Sequence, residues 1–142
     1  MSNNRSLFIY FDGSFKQNTG SIGFIIKSQG GESLIESKSV IPNSNSSTES
    51  ELIALKKSVE KIDTEFNIHD KGIYIFSDNQ DIVNILDNKK PEFKDEKFQE
   101  YIVDSLDILD KAEFIIYNKV TQQENRDAHL LSNLTLKHHL ES

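Results

Sequence analysis

The sequence predicts an α/β fold, a five-stranded mixed sheet flanked by helices in the order βββ-α-β-α-α-β-α. Three features predict it. Three strand-like runs stand together near the N-terminus, separated by glycine-bearing turns. Two further short apolar runs occur later in the chain. Segments with helical spacing of apolar residues lie between and after those runs.

Leu7-Phe8-Ile9-Tyr10-Phe11 is apolar and aromatic and stops at Asp12-Gly13-Ser14, a turn signal. The second run spans Gly20 to Lys27. The third, Ser33 to Ile41, alternates in hydropathy and ends at Pro42. Turns at Gly20 and at Gly30-Gly31 make the three an antiparallel meander. The polar stretch Asn43 to Thr48 is a connecting loop. A helix from about Thr48 to Ile62 carries Leu52, Leu55, Val59 and Ile62 at helical spacing. Gly72 to Ser77 is a short strand whose near-continuous apolarity predicts cover on both faces. Asp78 to Leu86 is a second helix, broken by Lys89-Lys90-Pro91. Phe98 to Leu109 is a third. Phe114-Ile115-Ile116-Tyr117 is the fifth strand, and Glu124 to about Lys137 the closing helix.

The chain has 142 residues, a length that fits a single domain over residues 1–142. With 36% hydrophobic and 27% charged residues, the composition is globular rather than disordered. The absence of Cys excludes disulfides, Cys-ligated zinc and a thiol nucleophile. No apolar run approaches the length of a membrane span, and Met1 to Arg5 lead into the first strand without a signal-peptide core. A cytoplasmic protein with no membrane partner is the expectation. Sixteen Lys+Arg against 23 Asp+Glu leave a net charge of −7, which argues against gripping nucleic acid by bulk charge.

Four polar residues stand at element ends: Asp12, Glu51, Asp78 and His129. Each has an ordinary explanation. Asp12 opens an Asp-Gly turn. Glu51 closes the capping box Thr48-x-x-Glu51. Asp78 caps the helix that it introduces. His129 is a half-exposed helix residue. Together they suggest more, because sites in open α/β sheets form at the carboxyl ends of strands. Three unpaired carboxylates in one cleft repel one another, an arrangement that persists mainly where cations bind. Oxygen ligands suit magnesium or manganese, and two such ions about 3.5–4 Å apart can drive phosphodiester hydrolysis.

These residues sit in four ordered motifs. They are Tyr10-Phe11-Asp12-Gly13-Ser14 with Gly20-Ser21-Ile22-Gly23, Thr48-Glu49-Ser50-Glu51-Leu52-Ile53-Ala54-Leu55, Phe76-Ser77-Asp78-Asn79-Gln80, and Asn125-Arg126-Asp127-Ala128-His129-Leu130-Leu131-Ser132. In this pattern the chain resembles the type 1 ribonuclease H family, in its compact, reverse-transcriptase-like branch. The resemblance covers nearly the whole chain and implies a ribonuclease H-like fold. It also implies a two-metal endonuclease that cuts the RNA strand of RNA/DNA hybrids, with no obligate protein partner. Asp12, Glu51 and Asp78 would hold the metal ions. Ser46, Ser47 and Thr48 lie where the family meets the minor groove of the hybrid, and their hydroxyls could read the 2′-OH. Gly13, Ser14, Asn79 and Asn125 join them as expected substrate contacts. Proofreading-type exonucleases carry Asp-x-Glu on the first strand, which Asp12-Gly13-Ser14 does not match.

His129 stands where the family usually has a fourth carboxylate, a known variant within this branch. Imidazole at that position would ligate metal and favour Mn2+ over Mg2+. Asp127 lies two positions earlier and is turned about 200° away on a helix. The basic, Trp-bearing handle of larger members is missing, and Lys89, Lys90, Lys94 and Lys97 are interleaved with acids as a solvated face. Thr121-Gln122-Gln123 lacks the His that some members carry before the last helix. Lys119 and Arg126 flank it as candidate phosphate contacts, and His138 and His139 fall in an expected frayed tail. These departures keep a second reading open: a weakly active or inactive protein of this fold that binds nucleic acid or a protein partner. A nuclease acting on another polynucleotide is a third.

Overall fold

The computed structural model describes residues 5–42, 44–88 and 94–141. Strands β1 (Ser6–Lys16), β2 (Thr19–Ser28), β3 (Ser33–Ile41), β4 (Gly72–Ser77) and β5 (Phe114–Lys119) form one sheet in the order β3-β2-β1-β4-β5. The first three are an antiparallel meander, and β4 and β5 add in parallel beside β1. Helices α1 (Ser47–Glu65), α2 (Gln80–Asn88), α3 (Glu96–Leu109) and α4 (Arg126–Glu141) complete the predicted order, with one 3-10 turn at Ile68–Asp70. Among the described residues no helix is long and apolar enough to cross a membrane.

The two faces of β1 explain the layers. Leu7, Ile9 and Phe11 are fully buried and join Leu52, Leu55, Val59 and Ile62 of α1 and Ile102 and Leu109 of α3 in the core. The next residue on this face is Gly13, where a Cβ would lie 2.3 Å from the Glu51 backbone nitrogen. On the other face Asp12 is paired with Gly23, where a Cβ would lie 2.7 Å from the Ala128 carbonyl oxygen of α4. Two bare positions on adjacent strands therefore let α1 and α4 approach the end of the sheet from opposite sides.

Asp12-Gly13-Ser14 is not the turn that its composition suggests. β1 stays paired with β2 out to Lys16 and Thr19, and the turn falls at Gln17 and Asn18, with φ of 54° and 62°. A two-residue loop with both residues left-handed matches the twist of the flanking strands, so the ladder runs on past Asp12. Gly20 lies inside β2 rather than in the turn. β4 also differs from expectation. Ile73 and Ile75 are buried in the core, but Tyr74 and Phe76 are only half-buried, against Phe8 and Tyr10. One face of β4 is covered, not both.

Helix limits shift too. α1 starts at Ser47, α2 at Gln80 rather than Asp78, and α4 at Arg126. His138 and His139 belong to the last turn of α4 instead of a frayed tail. Lys89-Lys90-Pro91 lies outside the described residues.

Candidate active site

The register of the sheet brings the first and third carboxylates together. β1 and β4 are parallel neighbours, and their last pair is Tyr10 with Phe76. Asp12 and Asp78 each lie two residues further on: Asp78 just past the carboxyl end of β4, where α/β sheets bind ligands, and Asp12 beside it within β1, which continues to Lys16. Glu51 comes from the first turns of α1, which Gly13 lets approach. One carboxylate oxygen from each of Asp12, Glu51 and Asp78 lies within 4.8 Å of the others. They line a cleft of about 570 Å3 together with Gly13, Ser14, Ser47 and His129.

Two caps release these carboxylates for other work. The helix start is capped by Ser46, whose Oγ accepts from the Glu49 backbone N–H at 3.0 Å. Glu49 reaches back to accept from the Asn45 N–H at 2.7 Å. The reciprocal cap is therefore Ser46 with Glu49, two residues before the Thr48 and Glu51 frame that the spacing also allows. At α2 the cap is Asn79, whose Oδ1 accepts from the backbone N–H groups of Asp81 and Ile82. Asp78 is not the cap. Asn79 also donates from Nδ2 to Glu51 Oε2 at 2.8 Å, so it orients one of the carboxylates.

Crowding and burial set the electrostatics. Burial pushes Glu51 up to about 7, against the pull of the Asn79 amide and with the charges of Asp12 and Asp78 adding to it. Asp12 is only 4% exposed; burial raises its carboxyl and the charge of Asp78 adds to the rise, while His129 and Ser132 oppose it by hydrogen bonding. The donor set is all oxygen, mutually repulsive and open to the cleft, which suits a hard divalent cation.

His129 comes to the site but does not belong to the carboxylate triple. Its Nδ1 is 2.8 Å from Asp12 Oδ2, and its Nε2 is 2.7 Å from Asn133 Nδ2. The Asn133 amide donates to Nε2, which places the ring proton on Nδ1, where it donates to Asp12. Asn133 Oδ1 in turn accepts from Ser14 Oγ at 2.8 Å, and Ser132 Oγ lies 3.1 Å from Asp12 Oδ2. Asn133 and Ser132 were not among the expected site residues. The available signal was spacing, since Asn133 lies one helical turn after His129 on the same face.

The remaining expected residues divide. Ser47 is exposed at the cleft wall, Thr48 is half-buried, and Ser46 is the cap. Asn125 is corrected: it is 1% exposed and donates from Nδ2 to the Phe11 carbonyl at 2.9 Å. It ties the start of α4 to the strand just before Asp12 and has no surface for a substrate. Lys119 lines the cleft, and Gln122 of the preceding loop joins it. Asp127 is exposed and lies away from the cleft. Lys97, expected on a solvated face, instead pairs with the buried Glu49 at 2.8 Å. Burial raises that carboxyl, but bonds from Lys97, the Asn45 N–H and Tyr101 more than offset it and hold it below the usual range.

The profile of the family described as "Reverse transcriptase-like" matches residues 10–135. No curated protein sequence matches significantly. Among solved structures the chain is similar to RNase H1 of the halophilic archaeon Halobacterium salinarum, with a TM-score of 0.81 and 21% identity over 93% of this chain and 98% of that one. It is similar to the N-terminal RNase H domain of a Mycobacterium tuberculosis protein, with a TM-score of 0.84 and 16% identity over 97% and 98%. LC11-RNase H1, solved in complex with an RNA/DNA hybrid, gives a TM-score of 0.82 and 20% identity over 94% and 99%. At these identities the likeness is one of fold, and the expected ribonuclease H-like fold is the one present.

Proposed function

The chain belongs to the reverse transcriptase-like family of ribonuclease H-like proteins, and from that premise we propose that it is a metal-dependent endoribonuclease cutting the RNA strand of RNA/DNA hybrids. The observation that carries this reading is the convergence of Asp12, Glu51 and Asp78 within 4.8 Å at the mouth of one cleft. Those three residues would hold two divalent cations. When bound, such ions supply the Lewis acidity that activates water and stabilises the leaving oxygen of a phosphodiester. His129, through Nδ1–H, holds Asp12 in place, and Asn79 does the same for Glu51. With both nitrogens of His129 engaged, the ligands are oxygens, which suit Mg2+ as well as Mn2+. Ser47 at the cleft wall, with the neighbouring backbone of the capped helix start, presents hydroxyl and amide groups to the 2′-OH side of a hybrid.

The test is cleavage of a labelled hybrid by wild type and Asp78→Asn, in Mg2+ and in Mn2+. We expect cutting by the wild type only. Folded wild type that binds hybrid but cuts in neither metal would instead make this a non-catalytic binding module of the same fold.

A further inference from the structure

We propose that a second groove, beyond the cleft along β1 and α4, is a track for the phosphodiester backbone of the hybrid as it leaves the reaction centre. The proposal rests on the reading that the substrate is a hybrid. The groove has a volume of about 440 Å3. Continuity is the first argument. Asn133 lines both the acidic cleft and this groove, so a strand lying in one runs into the other.

Charge is the second argument. Lys16 and Lys137 line the groove, both are exposed, and among the described residues neither has a carboxylate within ion-pair distance. Lys56, Lys61, Lys71, Lys97 and Lys111 are tied up by carboxylates, and the two groove lysines are not. Glu141 is the one acidic residue of the wall. In a chain of net charge −7, two unpaired lysines in the groove that continues the cleft extend to backbone phosphates the positive charge that Lys119 offers within the cleft.

Distance is the third argument. Lys16 follows Asp12 by four residues on β1, a run of about 13 Å at 3.3 Å per residue. Lys137 follows His129 by eight residues on α4, about 12 Å at 1.5 Å per residue. Two unrelated elements thus carry an ammonium group similar distances along the chain past Asp12 and past the His129 that bonds to it. At about 3.4 Å of axis per nucleotide, that distance is roughly four nucleotides. The floor between the lysines is apolar, with Leu136 only 5% exposed and Leu140 beside it, which suits the sugar face of a strand.

The test compares the wild type with Lys16→Ser/Lys137→Ser on an 18-base-pair hybrid and on hybrids trimmed to two base pairs on either side of the cut. For the long hybrid we expect KM to rise roughly tenfold, and the slope of log KM against log salt to fall by about 1.8, as two lost phosphate contacts require. Trimming one side of the hybrid should abolish the difference between the two proteins, and Lys16→Arg/Lys137→Arg should restore wild-type KM. An unchanged KM on the long hybrid, with the wild type cutting normally, overturns the track and leaves the hydrolase reading intact. An equal rise on all hybrids also overturns it, because the lysines would then act only as a general field. If the wild type cuts no hybrid, the hydrolase reading fails and the track fails with it.

Discussion

Replacing Glu51 by glutamine isolates the electrostatic strain of the cleft without any substrate. The Glu51 carboxyl is pushed up to about 7, chiefly by burial, from an ordinary value of 4.5. The folded protein therefore holds this proton more tightly than the unfolded chain does. Below pH 4.5 the group is protonated in both states and carries no penalty. As pH rises through 4.5 the unfolded chain ionises first and folding stability falls; near pH 7 the folded carboxyl follows, and the full penalty persists above it. The separation of 7 − 4.5 = 2.5 units corresponds to about 3.4 kcal/mol at 1.36 kcal/mol per unit. Water at the open mouth of the cleft reduces that to about 2–3 kcal/mol. Glutamine keeps an oxygen for the Asn79 amide and removes the charge. At pH 8 in chelator, Glu51→Gln should therefore melt about 6–9 °C above wild type, at about 3 °C per kcal/mol for a domain of this size. At pH 4 the two should melt together. A saturating divalent cation should reverse the order, because only the wild type gains from binding it. Equal melting temperatures at pH 8 in chelator would refute the strained-carboxylate account.

Three further outcomes follow from the same geometry. In calorimetric scans, Mn2+ at a hundredfold excess over its Kd should stabilise the wild type by about 2.7 kcal/mol and leave Asp78→Asn unmoved, while the metal-free variant is no less stable than wild type. His129→Ala should slow hybrid cleavage by the same factor in Mg2+ and Mn2+, since His129 acts on Asp12; a defect confined to Mn2+ would make the imidazole a ligand instead. Gly23→Ala would place a Cβ 2.7 Å from the Ala128 carbonyl oxygen and push α4 off the sheet. We expect a loss of about 1–3 kcal/mol in urea titration and a loss of cleavage larger than that stability change explains, because His129 moves with the helix.

The order of elements was legible because each rests on a local pattern that the tertiary structure did not override. Leu52, Leu55, Val59 and Ile62 recur with a helical period and are buried on one face of α1. The runs that became β1, β2 and β3 are separated by short turns that favour neighbours. The position of the first turn was not legible. Asp-Gly has the chemistry of a turn, but pairing between the two strands continues to Lys16, and Gln17-Asn18 takes the left-handed conformation in its place. Cover on β4 was misjudged because aromatic rings on one face, Tyr74 and Phe76, pack on each other's neighbours across the strands rather than under a helix. A run of apolar residues does not distinguish the two cases.

The site shows the opposite balance. Asp12, Glu51 and Asp78 were legible as a set and they converge, and the ordinary capping jobs open to Glu51 and Asp78 singly fall to other residues. Glu51 and Asp78 each stand close to residues that do the ordinary job in their place. Ser46 and Glu49 make the cap that Thr48 and Glu51 were expected to make, and Asn79 makes the one expected of Asp78. A capping motif read from spacing alone has more than one frame, and only backbone geometry selects among them. Once neighbours do the capping, among the described residues no hydrogen bond or ion pair meets the carboxylates of Glu51 and Asp78 beyond the single Asn79 bond. Burial then works against ionisation, and the cleft keeps a carboxylate near 7 that a capped or paired glutamate would not have. That surplus of uncompensated negative charge in a water-accessible cleft is a liability for folding and an asset for holding a cation. The duplication of capping residues is what makes the arrangement possible, since it frees acids at two helix starts without leaving the helix N–H groups unsatisfied.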